Sequence, residues 1–274
     1  MGNITNPANV GGASRVLPVL RTPPPVRQRI LITGASSGLG AQMARVWAAA
    51  GRDLALCARR EAELERLRDE LTTAHPGIRV VLRVLDVNDP DATDAVFAEC
   101  AAELGGLDRV VANAGVGRGG PIGEGHAADN RLTAETNFVG VLNQAESAVA
   151  LFRRARSGHF VIMSSMAALR GMKAHMNVYS ASKAAVATLG EGLRSDLWHS
   201  PVKVTVIHPG WIRTALADGI PNVMWAVDTA TGTAAIVDAI EREPARAYVP
   251  ARPWALLSVP MRLVPMRFFR RMGG

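Results

Sequence analysis

Arg29-Ile30-Leu31-Ile32-Thr33-Gly34-Ala35-Ser36-Ser37-Gly38-Leu39-Gly40 decides how this chain is read. An aliphatic run of strand length passes straight into a turn with glycines at 34, 38 and 40, and helical spacing begins at Gly38. Glycines placed this way let the backbone turn sharply and approach a pyrophosphate, whose charge the free N–H groups of the next helix can meet. Three spaced glycines mean little by themselves in a chain that holds 26; the strand, turn and helix around them give the pattern its weight. Gly34, Ser36, Ser37, Gly38, Leu39 and Gly40 are therefore the candidate phosphate cradle.

Outward from this turn, short aliphatic runs alternate with amphipathic stretches. The strand candidates are 29–33, 53–58, 79–85, 107–112, 159–164, 202–208 and 247–250. The helix candidates are 38–50, 61–74, 92–104, 134–154, 179–199 and 229–241. Strands this apolar suit burial on both faces, and the alternation is that of a parallel sheet with crossover helices. The expectation is an α/β fold: one doubly wound, Rossmann-type domain over 29–250, with a seven-stranded parallel sheet flanked by helices. Residues 1–28, rich in Pro, Gly and Asn, are expected to be disordered, and 251–274 to form a basic, apolar appendage.

Charge divides along the same lines. Residues 1–28 hold Arg15, Arg21 and Arg27, and residues 251–274 hold Arg252, Arg262, Arg267, Arg270 and Arg271, with no acid in either segment. Those eight arginines account for the whole net charge of +7 and leave the body near neutral, which speaks against a nucleic-acid protein. Cys57 and Cys100 stand in no metal or redox spacing and read as reduced core thiols. No histidine falls in a metal-binding motif, so no metal is expected. The start lacks a secretory pattern, and no apolar run approaches the ~20 residues of a membrane span, so the expected compartment is the cytoplasm.

Where dinucleotide folds often carry an acid for the adenosine ribose, after the second strand, this chain has Ala58, then Arg59 and Arg60. A guanidinium pair suits a 2′-phosphate and favours NADP(H) over NAD(H), with Arg59, directly after the strand, the better placed of the two. Asp86-Val87 ends the third strand, where an adenine could lie, and Asn113-Ala114-Gly115 ends the fourth, where glycine allows close approach and the Asn amide can tie strand ends together.

Tyr179 and Lys183 lie four residues apart on one face of a helix candidate, and Tyr179 is one of only two tyrosines. A phenol with pKa near 10 is a poor base at neutral pH, and a cation within ~4 to 6 Å lowers such a value by about 1 to 3 units. Tyr179 is thus the candidate general acid or base, with a hydroxyl from Ser164 or Ser165 available to a reacting oxygen. Ser165 is the preferred serine.

In this order, Thr33-Gly-x-x-x-Gly-x-Gly, Asn113-Ala-Gly, Asn137, Ser165, Tyr179-x-x-x-Lys183 and Pro209-Gly210 followed by Thr214 resemble the classical short-chain dehydrogenases/reductases, over about residues 29–250. The resemblance implies that Ser165 polarises a substrate carbonyl while Tyr179 transfers the proton. Lys183 would bind the nicotinamide ribose and depress the tyrosine pKa, and Asn137 would hold a relay water. Ile212 and Thr214, after Pro209-Gly210, would anchor the nicotinamide carboxamide. Two departures stand out: Ala112 replaces the first residue of the family's usual double Asn, and the interval from Ser165 to Tyr179 is one residue longer than usual, through Gly171, Lys173 and His175.

The expected activity is hydride exchange with a small carbonyl or alcohol, probed against two alternatives: a non-catalytic NADP(H)-binding sensor or scaffold, and a sugar-nucleotide epimerase, which would need a larger C-terminal domain than this chain has. Met224 and Trp225 suggest an apolar lid and a hydrophobic substrate. His175 and His208 read as structural. Small residues Ala184, Ala185, Ala187 and Gly190 permit close helix approach, and family members commonly pair this helix, so a homodimer or homotetramer is expected. The tail from Trp254 mixes large apolar residues with arginines, and Pro260 and Pro265 argue against one regular helix. It fits an anionic membrane surface, packing over the cleft, or a subunit neighbour.

Overall fold

A computed structural model describes residues 24–213 and 225–268 of the 274. β1 (Arg29–Thr33), β2 (Asp53–Ala58), β3 (Val80–Val84), β4 (Arg109–Ala112), β5 (Gly158–Met163), β6 (Val202–Pro209) and β7 (Arg246–Val249) form one sheet in the order β3-β2-β1-β4-β5-β6-β7. Every pairing is parallel, with Leu31 of β1 opposite Ala55 on one side and Val110 on the other. Side chains alternate along β1: Ile30 and Ile32 enter one buried cluster and Leu31 the other. Both faces are therefore core, which is why the strands read as continuous apolar runs.

The connecting helices are α1 (Gly38–Ala49), α2 (Glu61–Ala74), α3 (Pro90–Leu104), α4 (Ala127–Ala134), α5 (Gly140–Ala155), α6 (Met176–Asp196), α7 (Thr229–Glu241) and α8 (Ala251–Leu263). α3 starts on Asp89, whose carboxylate accepts from Ala92 N at 2.9 Å, and stops at Gly105 with φ 74°. The chain reverses its direction of travel across the sheet between β1 and β4. A doubly wound sheet opens a crevice there, beyond the strands' carboxyl ends.

The structure departs from expectation in several places. The helix expected over 134–154 begins earlier, as α4, and passes through a π turn at Glu135–Val139 into α5. α4 buries only Thr133, so it left no apolar stripe to read. Arg27, assigned to a disordered extension, is 4% exposed and paired with Glu243 at 2.7 Å, so the packed body begins before β1. α8 runs on past Pro260, with one non-helical residue at Arg252. Pro260 is exposed, so water can take the carbonyl its missing N–H leaves free. Gly190 serves its own chain: a Cβ there would lie 2.3 Å from Val206, so its smallness seats α6 on the sheet. Cys57 and Cys100 are buried and free, and among the described residues no helix is long and apolar enough to cross a membrane.

Candidate active site

The turn between β1 and α1 is held to β4 through Thr33. Its hydroxyl accepts from Asn113 N and Ala114 N, both at 3.1 Å, and donates to Gln144 Oε1 at 2.8 Å. Asn113 Nδ2 returns the contact by donating to Thr33 O at 2.9 Å. The two strand ends are thereby locked into one ledge. Gly34 (φ 64°) would bring a Cβ to 2.9 Å from Ala114 Cα, and a Cβ at Gly40 would stand 2.3 Å from Gly34 O. Those glycines are needed because backbone meets backbone, and a compact N–H-bearing turn at a helix start is what a pyrophosphate fits.

A cavity of about 700 Å³ lies over this ledge. Of the expected cradle, Gly34, Ser36, Ser37, Gly38 and Leu39 line it, while Gly40 lies inside the turn. Arg59 and Arg60 line it as well, with Asp86 and Val87. Arg60, the less favoured of the pair in sequence, donates to Ser36 Oγ at 3.0 Å and Ser37 Oγ at 2.7 Å, whereas Arg59 leans to within 3.8 Å of Asp86. Asn113, Ala114 and Gly115 form the floor, and Pro209, Gly210 and Ile212 the far side. Thr214 and Met224 lie outside the described residues.

At the other end of the same cavity are Ser165, Tyr179 and Lys183. α6 presents the phenol and the ammonium one turn apart, with Lys183 Nζ 5.7 Å from the Tyr179 ring centre. Ser165 caps a 3-10 turn at Met166–Leu169, its hydroxyl accepting from Ala167 N at 3.1 Å. Ser164, the alternative serine, donates to Lys183 O at 2.8 Å and so fastens α6 to β5. His208 Nδ1–H donates to Ser165 O at 3.0 Å, fixing the same loop from behind; burial brings this imidazole down to about 4, so it is neutral.

The electrostatics differ from the expectation of an acidified phenol. Burial pushes Tyr179 above the ordinary tyrosine range, with only the neighbouring Ser165 side chain acting against it. Lys183 is brought down to about 8 by burial, and its Nζ donates to Met163 O at 2.8 Å rather than to the phenol. Tyr179 thus holds its proton in this state.

Asn137 lies behind the cavity floor in the π turn, fully buried. Its Oδ1 accepts from Val116 N and its Nδ2 donates to Val116 O, both at 2.8 Å, a two-point clasp on the segment after Gly115. A Cβ at Gly115 would come within 3.0 Å of that Oδ1 and 3.5 Å of Lys183 Nζ, so the glycine lets these groups converge. π turns recur where a side chain must be re-aimed inside a helix.

Sequence reasoning missed the apolar wall. Met163, Met166, Met172, Met176 and Met261 line the cavity, five of the chain's ten methionines, drawn from segments with no common periodicity. Trp254, read as the start of an appendage, is 5% exposed and lines the cavity, resting on Gly210, where a Cβ would be 2.0 Å from its Nε1. Trp225 meets it edge-on at 6.0 Å. Among the described residues no group of three or more His, Cys, Asp or Glu side chains could hold a metal ion.

A doubly wound sheet with a glycine turn and a Ser, Tyr and Lys group in one cleft defines a class of dinucleotide-dependent oxidoreductases. Comparison with known proteins gives the family: the short chain dehydrogenase pattern matches residues 28–223, and the chain belongs to that family. It is 49% identical over 245 residues to an uncharacterized oxidoreductase of Mycobacterium tuberculosis, covering 89% of this chain and 97% of the relative. A short chain dehydrogenase/reductase from Burkholderia phymatum in complex with NAD superposes with TM-score 0.76 at 25% identity, over 89% of this chain and 95% of that one. An alcohol dehydrogenase from Thermococcus sibiricus complexed with 5-hydroxy-NADP superposes with TM-score 0.72 at 24% identity, over 81% and 95%, a likeness of fold. The protein is thus a pyridine-nucleotide-dependent oxidoreductase of the short-chain family.

Proposed function

We propose that the protein is an NADP(H)-dependent reductase or dehydrogenase of a hydrophobic carbonyl or alcohol, with Tyr179 as the proton-transferring group. The observation that carries this reading is the convergence of Ser165, Tyr179 and Lys183 on one cavity that the glycine turn also lines. A bound nicotinamide supplies or accepts the hydride. Everything else is done by side chains of this chain.

The two hydroxyls form a pair of donors for one carbonyl oxygen. Ser165 orients and polarises that oxygen, and Tyr179, held protonated by its burial, delivers the proton as charge develops there. In the alcohol-oxidising direction Tyr179 must lose that proton, and the Lys183 ammonium, one helical turn away, is the group that favours the phenolate. Asn137 clasps the backbone beneath both and takes the role of fixing Lys183's surroundings. Ile212, on the far side of the same cavity, anchors the nicotinamide end.

Two features support NADP(H) over NAD(H). No acid follows β2 to meet a ribose hydroxyl, and Arg60, hydrogen-bonded to Ser36 and Ser37, shares its wall with Arg59. The relatives' complexes include both NAD and an NADP derivative, so the choice rests on these side chains. Five methionines and Trp254 support an apolar substrate, since thioethers adapt to varied apolar shapes. The half-buried Ala184, Ala185 and Ala187 of α6 support a homodimer or homotetramer, and two free thiols support the cytoplasm. The test is loss of NADPH absorbance across a panel of aliphatic and aromatic ketones and aldehydes, with NADH as control. Turnover of an apolar carbonyl with NADPH and little with NADH is expected. NADPH binding with no turnover of any carbonyl or alcohol would favour the non-catalytic binder.

A further inference from the structure

α8 has two faces with different surroundings. Trp254 and Ser258 are 5% and 6% exposed, and Met261 joins Trp254 in the cavity wall. On the opposite side Leu256, Val259 and Leu263 are 73%, 60% and 74% exposed, at the three- and four-residue intervals that make one stripe on a helix. The stripe continues past Pro265 into Met266 and Phe268, about half exposed. Arg170 donates to Arg262 O at 2.9 Å and ties the helix to the segment after Ser165, so the stripe is held outward by a packed element.

We propose that this outer face of α8 docks on an anionic lipid surface. An exposed apolar row of this length calls for a cover, and charge selects it. Residues 251–274 carry five arginines and no acid while the body of the chain is near neutral, so attraction to an anionic surface is concentrated here. A second copy is the poorer occupant. A two-fold pair through this stripe would set the same arginines against themselves, and like charges facing each other oppose association. A bilayer meets both features: its acyl boundary takes Leu256, Val259 and Leu263, and its phosphates take the guanidinium groups. Because the inner face of the same helix walls the cleft, a docked enzyme opens beside the phase into which an apolar carbonyl partitions. That consequence rests on the proposed reductase activity, whereas docking does not.

The experiment is co-sedimentation of the full chain with vesicles of phosphatidylglycerol and phosphatidylcholine, and with phosphatidylcholine alone, read without cofactor or substrate. The native protein is expected to pellet with the anionic vesicles, to stay in solution with the neutral ones and to be released by salt. The triple variant L256E/V259E/L263E should lose at least tenfold in vesicle affinity with an unchanged melting temperature. Should that variant fold poorly, Leu263→Glu alone, at the most exposed position, should still weaken pelleting several-fold. Native protein that ignores anionic vesicles, or variants that pellet equally, overturn the proposal. So does sedimentation velocity showing that the substitutions dissolve a native oligomer which takes up no lipid. None of these outcomes alters the carbonyl screen, so the two readings fail separately.

Discussion

Replacing Lys183 with Met should make the protein more stable and less active. The ammonium is 5% exposed and its pKa falls from 10.5 to about 8 because burial penalises the charged form. A lysine whose folded value is depressed binds fewer protons folded than unfolded between those values, so native stability rises with pH across that window. At pH 7 both states are protonated and the native state carries the full penalty, ~3 kcal/mol; at pH 10 about 1 kcal/mol of it remains. Met fills a similar volume without charge but orphans Met163 O, now bonded at 2.8 Å, at a cost of about 1 to 2 kcal/mol. The net expectation at pH 7 is a gain of ~1 to 2 kcal/mol, or several degrees in melting temperature, shrinking or reversing at pH 10. Denaturant melts of both proteins at the two pH values read this directly. A variant less stable than the native protein at pH 7, or a difference that ignores pH, would refute the assignment of a strained buried ammonium.

Arg60→Ala should weaken NADPH binding by roughly tenfold or more while leaving NADH nearly unchanged, measured by fluorescence titration of each dinucleotide. His208, 1% exposed and brought down to about 4 from 6.5 by burial, binds fewer protons folded than unfolded in that interval, so stability should fall by ~3 kcal/mol as pH drops from 6.5 towards 4. Melts of the native protein against His208→Asn should show the acid-side loss diminished in the variant. Gly210→Ala places a Cβ 2.0 Å from Trp254 Nε1 and must displace that indole, so KM for the carbonyl substrate should rise several-fold with a smaller effect on kcat.

The frame of the molecule was legible because it rests on local rules. β1 and β2 have the expected bounds, Arg29–Thr33 and Asp53–Ala58, since apolar runs between turn residues leave strands no other length. The glycine turn was legible because backbone contacts at Gly34 and Gly40 exclude any side chain. What escaped depends on distant packing. α4 buries a single residue, and the π turn at Glu135–Val139 is set by tertiary contacts of Asn137. Adjacency to β2 put Arg59 ahead of Arg60 in the sequence, whereas it is Arg60 that reaches the serines of a loop 23 and 24 residues earlier, a contact no local rule gives. The acidified phenol was a pairwise argument from Tyr179 and Lys183; burial of both groups outweighs it in the structure. That the tail from Trp254 packs over the cleft stood in the sequence only as one of three alternatives, because its partner, Gly210, is 44 positions away.

The most direct test is Tyr179→Phe, assayed for NADPH affinity and for turnover of the best substrate from the carbonyl screen. The ring keeps its packing and only the Oη beside Ser165 is removed. The expected result is an NADPH dissociation constant within about threefold of the native value and a kcat lower by at least ~10³. Turnover near the native rate would contradict the claim that this phenol carries the proton.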